Sequence, residues 1–154
     1  MDDILKHYES FSIWLTSLKE IKDESWKKPI SEGKWPVGAV IAHLLFWDRY
    51  SLNERFPLFK DGAKLDRFPN FQQVNDEAAE YSKTVSKEQL LDELISVRQQ
   101  FISMINQMND DDLEISFQIG DHKLTIKDYF IDFVEHDLHH KEQVNHVIGQ
   151  ISLN

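Results

Sequence analysis

Apolar residues recur along most of this chain in steps of three and four, the spacing that gathers them on one side of an α-helix. Ile4, Tyr8, Phe11, Leu15 and Leu18 trace such a stripe and predict a first helix over about residues 3–22. A second starts near Pro36, a residue suited to a first helical turn, and carries Val37, Val40, Ile41, Leu44, Leu45 and Leu52 to about Arg55. Ser86 and Gln89 have the spacing of a capping box, and Leu90, Leu94, Val97, Phe101, Met104, Ile105 and Met108 then predict a third long helix to about Met108. Thr125 and Asp128 mark the start of a fourth, from Ile126 to about Ile148, with Gly149 expected just past its end. A shorter helix, capped by Asn70, is expected from Phe71 to about Lys83.

Breaks in the pattern are as informative. Phe56-Pro57, Asp61-Gly62 and Phe68-Pro69 crowd the stretch from Phe56 to Asn70, so the sequence predicts a long connection without regular structure, placed to cover a cleft or a dimer surface. Asn109-Asp110-Asp111-Asp112 lacks the alternating oxygen ligands and closing glutamate of a calcium loop, and reads as a solvated turn. Ile115, Phe117 and Ile119 alternate ahead of Gly120-Asp121, which predicts a small β-hairpin. The expected architecture is an all-α four-helix bundle in one domain over residues 1–154. Its up-down-down-up order follows from the long connection between helices two and three, which lets those two run parallel.

Composition narrows the chemistry. Only five glycines and four prolines occur in 154 residues, which argues against a turn-rich β fold. A net charge of −10 repels phosphate backbones, so neither nucleic acid nor an anionic membrane is an expected partner. The most apolar window, Val37 to Trp47, is about half of the roughly 20 residues a bilayer span needs. The amino terminus, Met1-Asp2-Asp3-Ile4-Leu5-Lys6, has no basic start, and a cytoplasmic location is expected. With no cysteine, any metal ligand must be nitrogen or oxygen and any reacting sulfur must come from another molecule. Serines lack a glycine-flanked elbow and no glycine loop could cradle phosphate, so neither serine hydrolysis nor nucleotide hydrolysis is supported.

Histidine is where the chain concentrates its chemistry, with four of seven on the last helix. Stepping from Phe133 by three and four passes through His136, His140, Val144 and Val147, so His136 and His140 are expected to point inward one turn apart. That spacing suits one divalent cation, and it equally suits a hydrogen-bonded core pair. His43 lies at the border of the apolar stripe of the second helix and can reach the same interior. Three inward histidines would leave a fourth coordination position open, as in a catalytic zinc site; a polar cluster without metal is the other reading. His139 falls in a solvated row with Asp132, Glu135, Glu142 and His146, while His7 and His122 are expected at the surface. Asp48 and Asp137 are placed either to orient an imidazole or to form salt links. Trp14 and Trp47 are expected in the core, whereas Trp26 and Trp35 could also line a pocket.

The stretch Lys34-Trp35-Pro36-Val37-Gly38-Ala39-Val40-Ile41-Ala42-His43-Leu44-Leu45, taken with His136-Asp137-Leu138-His139-His140-Lys141-Glu142-Gln143, resembles the DinB-like (YfiT-type) family over nearly the whole chain. The resemblance implies a four-helix bundle, a homodimer, and a metal ion held by one histidine of the second helix and two of the fourth. Matched motif to motif, these are His43, His136 and His140. The chain departs from the family where members commonly read His-Arg-Gly-Gln and it has His140-Lys141-Glu142-Gln143. By the same resemblance the expected function is a zinc- or nickel-dependent enzyme on a small-molecule substrate, either an S-transferase using a low-molecular-weight (bacillithiol-type) thiol or a hydrolase. The competing expectation is a non-enzymatic stress protein that binds a small molecule, with structural metal or none.

Overall fold

The computed structural model describes residues 2–67 and 69–152. Its long helices are α1 (Asp2–Ser17), α2 (Val37–Tyr50), α4 (Lys87–Asn106) and α5 (Ile126–Ser152), with a shorter α3 (Phe71–Ser82) laid along α2. The predicted N-terminal caps are present. Asn70 Oδ1 accepts from Gln73 N at 3.1 Å and Ser86 Oγ accepts from Gln89 N at 3.1 Å, each satisfying an amide that the first helical turn leaves over. Thr125 and Asp128 bond reciprocally at 3.0 and 3.1 Å to open α5. The turn Asn109–Asp112 carries a capping box of its own and starts a one-turn helix, Asp110–Leu113.

Four boundaries differ from the sequence expectation: α1, expected to reach about residue 22, ends at Ser17 and passes into a 3-10 turn at Leu18–Glu20. Gly149 does not end the last helix, which runs on to Ser152. The second helix stays α-helical only to Tyr50, then loosens into a π turn at Ser51–Arg55 and tightens into a 3-10 turn at Phe56–Leu58. The connection beyond holds a strand, β1 (Lys64–Leu65), which pairs in parallel with β2 (Ser116–Ile119); β2 pairs in turn with β3 (His122–Thr125) as the expected hairpin. Gly120 closes that hairpin at φ +57°, where a Cβ would be strained and would also sit 2.8 Å from the Arg67 side chain. A strand of two residues has too little sequence to announce itself, because its partner lies more than fifty positions away. Phe68, one of the expected breakers, lies outside the described residues.

Contact registers fix the directions of the helices. Arg49 meets Glu93 and Phe56 meets Phe101, so positions advance together and the chain from α2 runs parallel to α4. His7 meets Asp137 and Trp14 meets Asn145, so α1 and α5 are parallel too. Between α1 and α4 the order reverses, with Lys19 on Asp92 and Tyr8 on Phe101, and it reverses again between α2 and α5, with His43 on His136 and Ser51 on Tyr129. This is the up-down-down-up bundle. Gly38 lets the buried Trp26 ring lie flush on α2: a Cβ there would come within 2.6 Å of the indole nitrogen. Trp14, expected in the core, is half-buried at the edge between α1 and α5, where its indole N–H donates to Asn145 Oδ1 at 2.8 Å.

At the centre of the bundle sits a charge. Arg98 of α4 has no solvent exposure and reaches Asp48 of α2 through Nε (2.5 Å) and Nη2 (3.3 Å), and Asp137 of α5 through Nη1 (2.5 Å) and Nη2 (2.7 Å). His7 of α1, expected at the surface, is instead folded inward with Nε2 2.8 Å from Asp137 Oδ2. The Arg98 guanidinium carbon lies 5.3, 4.8 and 5.7 Å from the ring centres of Tyr8, Phe11 and Phe101. Two carboxylates face one guanidinium, and their environments divide the roles. Burial, working against Arg98 and aided by Asp137, pushes Asp48 up to about 7. Burial also opposes ionisation of Asp137, yet Arg98 and then His7 hold its carboxyl below the usual carboxylate range.

Replacing Arg98 by methionine is expected to cost about 3–5 kcal/mol, because it leaves buried carboxylates without their cation. Asp137→Asn should cost more than Asp48→Asn, since Asp137 carries the settled negative charge. Urea unfolding of the three variants measures this, and equal costs at the two aspartates would contradict the assignment.

Candidate metal centre

His43 projects from the middle of α2, a helix so apolar that nearly every residue from Val37 to Asp48 is buried, and it is buried with them. His136 and His140 stand one turn apart on α5 and meet it across the bundle. His136 Nε2 lies 3.4 Å from His43 Nε2 and 3.1 Å from His140 Nε2, and one nitrogen from each ring falls within 4.8 Å of the other two. The structure thus brings together all three histidines singled out in the sequence. His43 is buried, His140 half-buried, and His136 exposed along the edge that faces a cavity.

The direction of each lone pair follows from the partners. Asn75 Oδ1 accepts from the Trp47 indole N–H at 2.9 Å, and since an indole can only donate, the atom it meets must be the carboxamide oxygen. His43 Nδ1 is 2.9 Å from that same oxygen and so carries its proton there, which leaves the Nε2 lone pair turned toward His136 and His140. His140 Nδ1 pairs with Gln143 Oε1 at 2.9 Å, an arrangement that likewise turns the Nε2 lone pair inward. His136 Nε2 carries at most one proton in its neutral form and can bridge only one neighbour with it, so the cluster has more acceptors than donors. A divalent cation fits such a donor set: neutral imidazoles with converging nitrogens and carboxamide oxygens behind two of them.

Neither Asp48 nor Asp137 orients these rings; both are engaged by Arg98, and Asp137 by His7. Asn75 and Gln143 take the orienting role. Asn75 has no periodic relation to His43, being 32 positions away, whereas the three-residue step from His140 to Gln143 was a usable signal. His139 and His146 are exposed, as is His122. Trp35 is neither core nor remote: its ring centre lies 5.4 Å from that of His43. Trp47 is buried as expected, but it also forms cavity wall.

That cavity, of about 950 Å³, runs from His43 and His136 along α5 toward the hairpin. Leu44, Trp47, Phe71, Leu124, Tyr129 and Phe133 make most of its wall apolar, and Arg67, from the long connection, stands among its lining residues beside Asp121 and His122. The connection of residues 56–70 therefore borders the cleft. Among the polar lining groups, Ser51 and Tyr129 share a hydrogen bond of 2.7 Å between buried hydroxyls, and Asp48 lies beside them in the lining. The π turn supplies Ser51, consistent with the habit of such turns to mark functional positions.

Burial, with the neighbouring imidazoles adding to it against the Asn75 bond, lowers His43 to about 4. Burial of the ring among its neighbours, and then His140, lowers His136 to about 4 as well; burial also lowers His140. In metal-free protein, NMR titration should find His43 and His136 neutral down to about pH 4, with His43 in the Nδ1–H form. Asn75→Ala should release that ring into a mixture of tautomers.

Comparison with known proteins bears on the fold and the family. No curated protein matches the chain. Among solved structures, it is similar to YfiT from Bacillus subtilis, described as a probable metal-dependent hydrolase with an unusual four-helix bundle topology. The superposition has a TM-score of 0.83 at 17% identity and covers 98% of this chain and 87% of YfiT. The sequence profile of the DinB superfamily matches residues 8–144, so the chain belongs to the DinB superfamily.

Proposed function

We propose that this protein is a metal-dependent hydrolase of small molecules in which His43, His136 and His140 hold a divalent ion, zinc or nickel. The observation that carries the reading is the convergence of three Nε2 atoms, with His43 and His136 lining an apolar cavity and the lone pairs of His43 and His140 set by Asn75 and Gln143. The description of YfiT as a probable metal-dependent hydrolase supports it. A divalent ion on such ligands supplies Lewis acidity and lowers the pKa of a water or thiol beside it.

The chain's own groups do the rest. The apolar wall excludes bulk water and strengthens every polar interaction within. Burial, against the pull of the Ser51 bond, pushes Tyr129 up to about 12, so its hydroxyl keeps its proton and serves as a donor to an oxygen of bound substrate. Asp48, pushed up to about 7, can hold or release a proton at the cavity wall near neutral pH.

A second reading keeps the centre and changes the nucleophile. A low-molecular-weight thiol would lose its proton and form a C–S bond to a bound electrophile as the leaving group departs. The cavity favours it by its size, near the upper end of the roughly 300–1,000 Å³ usual for small-ligand sites, and with no cysteine in the chain the thiol would come from another molecule.

Elemental analysis of protein purified without a nickel column tests the shared foundation. About one zinc or nickel per chain is expected, lost in His43→Ala and His140→Ala; no metal and no uptake on adding either ion would overturn both readings. Asn75→Ala should weaken metal binding by about 10–100-fold without removing a ligand. Protonation competes with the metal for each lone pair. Because burial lowers all three histidines, affinity should begin to fall at a lower pH than the roughly 6.5 at which ordinary histidines start to lose it. Metal-restored turnover of esters, amides and lactones without thiol supports the hydrolase; turnover of electrophiles only with added thiol supports the transferase.

A further inference from the structure

The two ends of the cavity differ in charge. At the inner end are His43 and His136; along the same face of α5, one turn before His136, stands Asp132. A helix rises 1.5 Å per residue, which separates those two positions by about 6 Å. Asp132 has Glu135 and Asp128 as electrostatic neighbours, and partial burial followed by these two acids holds its carboxyl above its ordinary value, with His122 opposing. Arg67 also lines the cavity but is matched by Asp121, with Nη2 3.1 Å from Oδ2. The pair cancels, and a surplus of negative charge remains around Asp132.

Aromatic residues from separate elements line the same cavity. Trp47 of α2 and Phe71 of α3 have ring centres 5.1 Å apart, and Tyr129 and Phe133 of α5 are 5.3 Å apart. Phe71 is 58% exposed, a large apolar surface left facing solvent beside the cavity it lines. Aromatic walls with carboxylate neighbours attract cations through the ring quadrupole and through charge; they repel an anion on both counts. The net charge of −10 acts in the same direction at long range.

We propose that the cavity selects small organic cations, molecules with an apolar body of aromatic size and an ammonium group. The ammonium would lie at the Asp132 end and the opposite end of the molecule would point toward His43 and His136. The proposal rests on the reading of this cavity as the substrate site, and it deepens that reading by naming the substrate class.

Titration calorimetry with three probes tests it, on both metal-stripped and zinc-loaded full-length protein: benzyltrimethylammonium, the uncharged 4-phenyl-2-butanol, and 3-phenylpropionate. A quaternary ammonium cannot ligate a metal, so its binding reports the cavity alone. The cation should bind about fivefold or more tighter than the neutral probe, with the carboxylate weakest in the stripped protein. Asp132→Asn, a change at an exposed residue, should remove most of that preference while leaving the neutral probe unchanged; Arg67→Ala should not weaken the cation. Equal binding of cation and neutral probe, tightest binding of the carboxylate in stripped protein, or no saturable binding by any probe would each overturn the proposal. Metal content, measured separately, keeps a failure of the metal centre distinct from a failure of cation selection.

Discussion

A guanidinium with no access to water holds this bundle in register. Leaving Arg98 unpaired in the interior would be prohibitive, so every conformation that buries it must bring carboxylates to it. Those carboxylates come from α2 and α5, the imidazole of His7 closes on Asp137 from α1, and Tyr8, Phe11 and Phe101 surround the planar cation. All four long helices are thereby tied at one level. Because successive side chains on an α-helix are turned by about 100°, holding Asp137 on Arg98 also fixes where its neighbour His136 points. The charge cluster is in this sense the device that aims the histidines, although it touches neither His43 nor His140.

The polar interior is divided into two chemically different parts. Around Arg98 the partners are ionic, and burial raises Asp48 against the pull of Arg98, which eases the surplus of negative charge. Around the three histidines the bonded acceptors are carboxamides, and this difference has a purpose. A carboxylate behind His43 would favour the imidazolium more strongly, whereas the uncharged Asn75 Oδ1 fixes the ring with a smaller pull toward a second proton, which burial outweighs. Since the same oxygen is held by Trp47, a residue of the cavity wall, the orientation of a ligand and the shape of the cavity depend on one side chain.

How much of this was legible in the sequence depends on how local the cause was. The helices, their caps and the hairpin are written in steps of three, four and two residues, and the three inward histidines could be picked out because helical faces follow directly from spacing. His7 and Arg98 were legible in part. Each falls within an apolar stripe, His7 between Ile4 and Phe11 and Arg98 between Leu94 and Phe101, and a polar residue in such a stripe needs a buried partner. Their partners are 130 and 39 positions away, beyond any periodic argument. Asn75 had no signal at all, because it lies on a mostly exposed helix that becomes part of the site only once α3 has been laid along α2. The strand of residues 64–65 was hidden for the same reason.

The departure of α2 from regular geometry after Tyr50 connects these parts. Had the helix continued without the π turn, each residue after it would be rotated back by about 100°, and the direction of the chain entering the long connection would change with it. Ser51 bonds Tyr129 at the cavity wall, and the chain that follows brings Phe56 against Phe101 before turning back as β1 to the hairpin. The hairpin in turn delivers Asp121 to Arg67. One local loosening of the helix thus directs the long connection across the bundle to the hairpin and brings Arg67 to Asp121 at the cavity wall.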